Sequence, residues 1–266
     1  MVFLTYFFVF LFGLAVGSFL NCLIYRLKTG ESFLKGRSYC PHCKQVLNWP
    51  DLIPVLSFLI LKGKCRYCSQ KISLQYPLVE LATGILFVLI INYQLSIINL
   101  LFACFLIIIF VYDLKHYIIP DKVIYPAIGL ALLYQLFRIL DLGFVSNFEF
   151  RISNFQILIN PLLSALLAST FFFLIVLISK GKWLGVGDIK LAFFMGLFLG
   201  WPNILVALFL AFFIGAIIGI GLIISGKKTL KSEVPFGPFL VTGTLIALFW
   251  GQNIIDIYLK MFNLPL

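Results

Sequence analysis

The sequence predicts an all-α, polytopic membrane protein of about eight transmembrane helices, with one long cytoplasmic loop between the first helix and the second. Composition, a series of apolar runs of spanning length, and a one-sided distribution of basic residues lead to this reading. Hydrophobic residues make up 62% and charged residues 11% of the 266 positions, whereas soluble domains are about half apolar and about a quarter charged. A chain this poor in charge cannot cover its own surface in water.

The first apolar run is Met1 to Tyr25, and no Lys or Arg precedes Arg26. It lacks the basic leader region of a secretory signal peptide and is expected to remain as a helix. Gly13-x-x-x-Gly17-Ser18 gives it a small-residue face suited to close helix contact. A polar loop of residues 26–75 follows. The remaining apolar runs fall near 76–92, 96–112, 119–140, 158–179, 184–200, 203–225 and 236–256, each close to the roughly 17–25 residues that cross a bilayer. The stretch from Asp141 to about Ile157 is polar and reads as an external loop. Glycines 196, 200, 215, 219 and 221 are expected to let neighbouring backbones approach closely.

Lys and Arg collect in cytoplasmic loops, so their positions orient the runs. Of the 20 Lys and Arg residues, all but Arg138, Arg151 and Lys260 fall on the side that holds the 26–75 loop. Both termini are therefore expected outside, with that loop, Asp113 and Asp188 on the cytoplasmic side. The net charge of +10 follows the loops, so the expected partner is the lipid bilayer and no nucleic acid is implied.

The 26–75 loop contains Cys40-Pro-His-Cys43 and Cys65-Arg-Tyr-Cys68, with 21 residues between the pairs. Two C-x-x-C turns at such a distance suit one tetrahedral zinc ion held by Cys40, Cys43, Cys65 and Cys68. Two disulfides or four free thiols are the alternative, and a reducing cytoplasm disfavours disulfides. A closed four-thiolate shell leaves no open coordination position, so one structural zinc per chain is expected, stapling a loop with little core. Cys22 and Cys104 lie in apolar runs and read as packing residues.

Gly185-Val186-Gly187-Asp188 sets a carboxylate where an apolar run begins, and Asp113 closes another run. Ionised groups at membrane depth are costly and usually mark function. Taken singly, Asp113 can pair with Lys115 or Lys122, and Asp188 can cap a helix beside Lys190. Taken together, two carboxyls brought close share a proton, and the ionised one can activate water while the protonated one polarises a carbonyl. Glycines 185 and 187 would let an extended backbone approach Asp188. Asp121, after Pro120, is a helix cap or a third carboxylate. Glu80 stands in an otherwise apolar segment as a site carboxylate, a cap or a lysine partner, and His116 reads as an interfacial polar residue. No Ser/His/Asp triad, His-Glu-x-x-His zinc site or Walker loop is present.

These residues resemble the type IV prepilin leader peptidases, bifunctional membrane aspartic peptidases and N-methyltransferases. Gly17-Ser18-Phe19-Leu20-Asn21-Cys22 with Arg26, Arg37-Ser38-Tyr39-Cys40-Pro41-His42-Cys43, Lys64-Cys65-Arg66-Tyr67-Cys68 and Tyr76-Pro77-Leu78-Val79-Glu80 are similar to the family's N-terminal half. Asp113 through Ile119-Pro120-Asp121, Gly185 to Lys190, and Pro235-Phe236-Gly237-Pro238-Phe239 are similar to its peptidase half. Trp183 and Leu184 depart from the Gly and Met found in many members, and Gln75 from an Arg that often precedes Tyr-Pro.

The resemblance implies catalytic roles for Asp113 and Asp188, supported by Gly185, Gly187, Lys190, Asp121 and Glu80. It implies a methylase-associated region over residues 1–93 and a peptidase domain over 94–266. It further implies cleavage of prepilins or type II secretion pseudopilins after a glycine that ends a basic leader. This would take place at the cytoplasmic face of a bacterial inner membrane, followed by methylation of the new N-terminus from S-adenosylmethionine. A proton- or ion-coupled transporter and a zinc-stapled scaffold are the competing readings.

Overall fold

Eight apolar runs give eight helices in the computed structural model, which describes residues 2–32, 36–142, 148–226, 229 and 234–261, with side chains outside residues 2 and 139–159. The long helices are α1 (Val2–Thr29), α3 (Gln75–Asn92), α4 (Ile98–His116), α5 (Asp121–Leu142), α6 (Phe148–Ser179), α7 (Val186–Leu199), α8 (Asn203–Ile224) and α9 (Gly237–Met261). A short helix α2 (Leu56–Ile60) and a 3-10 turn (Trp49–Leu52) lie in the loop after α1. Among the described residues, six helices are long and apolar enough to cross a membrane by length and composition; α5 and α7 are not among them. At 14 residues, α7 rises only about 21 Å, and α5 carries Asp121, Lys122, Arg138 and Asp141. The polar connection read from Asp141 to Ile157 is shorter than its composition suggests. Asn and Ser content marked residues 148–157 as loop, yet α6 already begins at Phe148. Residues 143–147, and Lys35, Lys227, Lys228 and Lys231 of the charge asymmetry, lie outside the described residues.

The chain forms two compact units, Met1–Ile108 and Ile109–Leu266. In the first, α1 packs along α3 through the small-residue face seen in the sequence. A Cβ on Gly13 would stand 2.7 Å from the Gly84 Cα, and one on Gly17 2.7 Å from the Glu80 Cα. Polar groups tie the same pair. Tyr6 donates its hydroxyl to Asn92, Gln75 Nε2 donates to Asn21 Oδ1 at 2.9 Å, and Asn21 Nδ2 donates to the Tyr76 carbonyl at 3.0 Å. Arg26 is buried because its guanidinium donates to the carbonyls of Ser32, Gly36 and Arg37, closing the start of the loop over the end of α1.

In the second unit α7 is the central element, packed on α5, α6 and α9, while α8 lies along α9. Its Leu191, Ala192, Phe194, Met195, Gly196 and Leu197 are buried by protein, which is how so short a helix is shielded. The contact with α6 is tight, since a Cβ on Gly196 would sit 2.3 Å from the Ala165 Cα. Phe172, Phe212, Phe236 and Phe239 form an aromatic cluster joining α6, α8 and α9. Gly219 and Gly221, expected to serve close packing, face open space instead. Their helix presents an outward apolar surface there, and a glycine count does not say which face it lies on.

Candidate active site

Asp113 lies near the end of α4 and Asp188 in the first turn of α7. Both are buried, at 4% and 8% exposure. Each is fixed through one oxygen by the amide of a glycine at the start of a helix. Gly237 N–H, the first residue of α9, donates to Asp113 Oδ2 at 3.0 Å. Gly185 N–H, capping α7, donates to Asp188 Oδ2 at 3.0 Å, while Asp188 N–H donates back to the Gly185 carbonyl at 3.1 Å. The positive ends of the α7 and α9 dipoles therefore face the two carboxylates, a favourable environment for negative charge. The Asp113 carboxylate lies within electrostatic reach of Asp188. Two carboxyls that interact electrostatically titrate as a coupled pair.

The glycines differ in what they supply. An added Cβ on Gly187 would meet the Ile119 Cβ at 3.0 Å, so the bare backbone makes room for the segment leading into α5. At Gly185 an added Cβ would meet only Asp188 Oδ2, at 3.7 Å, and the Gly187 backbone nitrogen, at 3.9 Å, both ordinary contact distances. Gly237 had no role assigned from the sequence, yet a Cβ there would stand 2.5 Å from Asp113 Oδ2. Spacing could not reveal this, because the two residues are 124 positions apart.

Asp121 is not the cap of α5. Pro120 holds that position, its carbonyl accepting the amide of Ile124 at 3.1 Å. Asp121 instead accepts from Lys190 Nζ at 2.6 Å, with 61% of its side chain exposed, and the same ammonium lies 4.8 Å from the Tyr125 ring centroid. This pair joins α5 to the turn of α7 that carries Asp188. His116 packs edge-on against Tyr112. Glu80 belongs to the first unit, where its Oε2 accepts the backbone N–H of Val55 at 2.7 Å. Val55 is the residue that caps α2, so Glu80 serves the start of that helix and not of its own, since α3 starts five residues earlier.

The four loop cysteines converge. Their sulfurs all lie within 4.8 Å of one another, and Cys40 and Cys68 Sγ are 3.9 Å apart. Zinc–sulfur bonds of about 2.3 Å at tetrahedral angles place sulfurs about 3.8 Å apart, so the cluster fits such an ion. The two turns are built alike. Cys40 N–H donates to the Gln45 carbonyl and Cys65 N–H to Gln70, while the amides of Lys44 and Ser69 return to the cysteine carbonyls. Lys44 and Ser69 take φ values of 59° and 58° to close the turns. Asp51 of the 3-10 turn clamps the second of them, accepting from Arg66 Nε at 2.7 Å and Tyr67 Oη at 3.0 Å. Burial pushes the Asp51 carboxyl up, but Arg66, Tyr67 and the Asn48 amide outweigh this and hold it below its ordinary value.

Residues 11–94 match the bacterial peptidase A24 N-terminal domain, and residues 100–220 match the type IV leader peptidase family. A prepilin leader peptidase/N-methyltransferase of Aeromonas hydrophila is 32% identical, covering 96% of this chain and 93% of the relative. The chain belongs to the type IV leader peptidase family. A second relative of the same description, from Bacillus subtilis (strain 168), is 32% identical over 95% of this chain and 97% of its own length. A third, from Pseudomonas aeruginosa, is 28% identical over 94% of this chain and 92% of its own length. No solved structure matches the chain.

Proposed function

We propose that this family member is a bifunctional prepilin leader peptidase and N-methyltransferase of the bacterial inner membrane, acting on prepilins or pseudopilins at the cytoplasmic face. The observation that carries the reading is the pair of buried carboxylates, Asp113 and Asp188, each fixed by a glycine amide at a helix start and within electrostatic reach of one another.

Of the pair, the ionised carboxylate takes a proton from a water whose oxygen attacks the scissile carbonyl carbon. The protonated carboxylate gives its proton to the carbonyl oxygen, and a gem-diol forms. Collapse then breaks the C–N bond as a proton passes to the departing amine, leaving a leader ending in a carboxylate and a pilin with a new amino terminus. Gly185 and Gly237 orient the two acids. The Asp121–Lys190 ion pair positions the start of α7 and acts on Asp188 only through that helix. The position of the pair argues against a transporter, because both carboxylates stand at helix ends and transport sites gather near the bilayer midplane.

The division into a methylase-associated region, 1–93, and a peptidase domain, 94–266, is supported by two separate family matches at 11–94 and 100–220. Cys40, Cys43, Cys65 and Cys68 would hold one zinc, whose chemistry is structural because four thiolates fill its shell. Methylation of the new amine calls for S-adenosylmethionine, which donates its sulfonium methyl. The surplus of Lys and Arg on one set of loops supports a cytoplasmic active site with both termini outside.

Incubation of the purified protein with a candidate prepilin and S-adenosylmethionine, followed by mass spectrometry, tests the whole reading. The expected product has lost its leader and carries one methyl on its new N-terminus. A prepilin left intact across the pH range overturns the peptidase assignment.

A further inference from the structure

The loop segment from Trp49 to Ile60 turns large apolar side chains outward. Trp49, Leu56, Leu59 and Ile60 are 77%, 56%, 62% and 73% exposed. A water-facing loop would gain by folding such groups inward, and this one instead holds them out on a braced scaffold.

Val55, just before α2, has φ 60° and ψ −49°, and the Leu56 amide donates across it to the Pro54 carbonyl. That is the γ-turn of positive φ, strained for any L residue and more so for a β-branched one. Strain of this kind persists where surrounding contacts hold it in place. Here the contact is Glu80, which accepts the Val55 N–H at 2.7 Å. Glu80 lies five residues into α3, a helix long and apolar enough to span, or about 7.5 Å of helix rise from its start.

The hydrogen bond therefore ties the beginning of α2 to the N-terminal part of α3. Leu74 and Leu78, at the start of the helix to which that bond ties α2, are exposed apolar residues as well. Lys62, Lys64, Arg66 and Lys71 follow directly in sequence and are exposed, which suits a surface of anionic headgroups.

We propose that Trp49–Ile60 is a membrane-docked element whose apolar side chains sit at the headgroup–acyl boundary of the cytoplasmic leaflet. It seats the four-cysteine loop on the bilayer. The proposal rests on reading this loop as cytoplasmic. A tryptophan beside leucines and isoleucine, with lysines next in the chain, is the composition that such interfacial elements use. Docking is passed on to the cysteine turns, because Asp51 of the same segment holds Arg66 and Tyr67.

The test uses full-length protein in phosphatidylglycerol/phosphatidylethanolamine vesicles, with Trp183, Trp201 and Trp250 changed to Phe so that Trp49 alone emits. A nitroxide carried high on a phospholipid acyl chain is expected to quench Trp49 at least about twofold more than one near the chain terminus, and aqueous iodide to quench it weakly. In a second variant, Leu59→Asp with Ile60→Asp, iodide quenching should rise while zinc content stays the same.

Should the Phe substitutions disturb folding, a diazirine-bearing phospholipid cross-linked to the unaltered chain should label peptides within 49–60. Strong iodide quenching with no effect of the lipid nitroxides overturns the proposal. So does iodide protection that arises only when a prepilin is added, since that marks a substrate surface. Retained prepilin cleavage alongside either result leaves the peptidase reading standing, and lipid quenching with no cleavage removes that reading while the docking stands.

Discussion

Asp113 and Asp188 share one design, in which a glycine amide at a helix start takes hold of a single carboxylate oxygen. Asp→Asn at either position keeps the shape and removes the titrating group. Each single variant is expected to lower prepilin cleavage by about three orders of magnitude or more, and the double variant by little more, since members of one catalytic unit are strongly non-additive. Expression and zinc content should be unchanged. The cleavage rate should describe a bell in pH whose limbs belong to the pair. Gly237→Ala tests the tether itself. Its Cβ would stand 2.5 Å from Asp113 Oδ2, so the carboxylate has to move, and misplacement by about 1 Å costs on the order of 10²-fold in rate. Asp121→Asn breaks only the exposed pair with Lys190 and should cost about tenfold or less, because exposed ion pairs are worth about 1 kcal/mol at most. A cleavage rate for Asp121→Asn as low as for Asp113→Asn would make Asp121 part of the acid pair. The acids were legible in the sequence because charge is conspicuous beside apolar runs. Gly237 was not, because only the folded chain brings it against a residue so distant in sequence.

Helices carry the acids, and one short helix carries most of the consequence. Gly196 lets α7 lie against the α6 backbone, where an added Cβ would come within 2.3 Å of the Ala165 Cα. Gly196→Ala is expected to cost about 1–3 kcal/mol as overpacking, to lower the melting temperature in detergent, and to slow cleavage by shifting Asp188. Gly219→Ala is the matched control, because a Cβ there meets nothing, and it should leave both measurements as they are. In the cysteine loop, Cys40→Ser with Cys43→Ser should take zinc from about one per chain to near none, read by elemental analysis, and should raise protease sensitivity between residues 40 and 68, since metal binding energy is folding energy in so small a unit. An unchanged zinc content would rule out a shared four-thiolate site. The paired C-x-x-C turns were legible because ligand spacing is local, and Gly13-x-x-x-Gly17 was legible because close helix contact needs small residues in register. The extent of α6 was not legible, since the Asn and Ser of residues 148–157 favour loops by propensity.

At the scale of the whole chain, the two acids constrain how many helices cross. Among the described residues six helices qualify by length and composition, and charge asymmetry among the loops asks for eight crossings. If α5 and α7 failed to cross, α4 would still end in the cytoplasm and α6 would run outward. Asp113 would then lie inside and the start of α7, with Asp188, outside, about a bilayer apart, roughly 30 Å. The two carboxylates lie within electrostatic reach of one another, and both α4–α9 and α5–α7 contacts hold that end of the unit together through Gly237 and the Lys190–Asp121 pair. Crossing by α5 and α7 is therefore expected although neither qualifies alone, because α7 is shielded by protein rather than facing lipid and backbone at membrane depth is tolerated where protein covers it. Single cysteines introduced at Gln94 and Lys182 decide the matter in intact cells with a membrane-impermeant thiol reagent. Eight crossings put Gln94 outside, where it is labelled, and Lys182 inside, where it is labelled only after the membrane is opened. Labelling of both positions in intact cells would leave α5 uncrossed and remove the shared cytoplasmic site for Asp113 and Asp188.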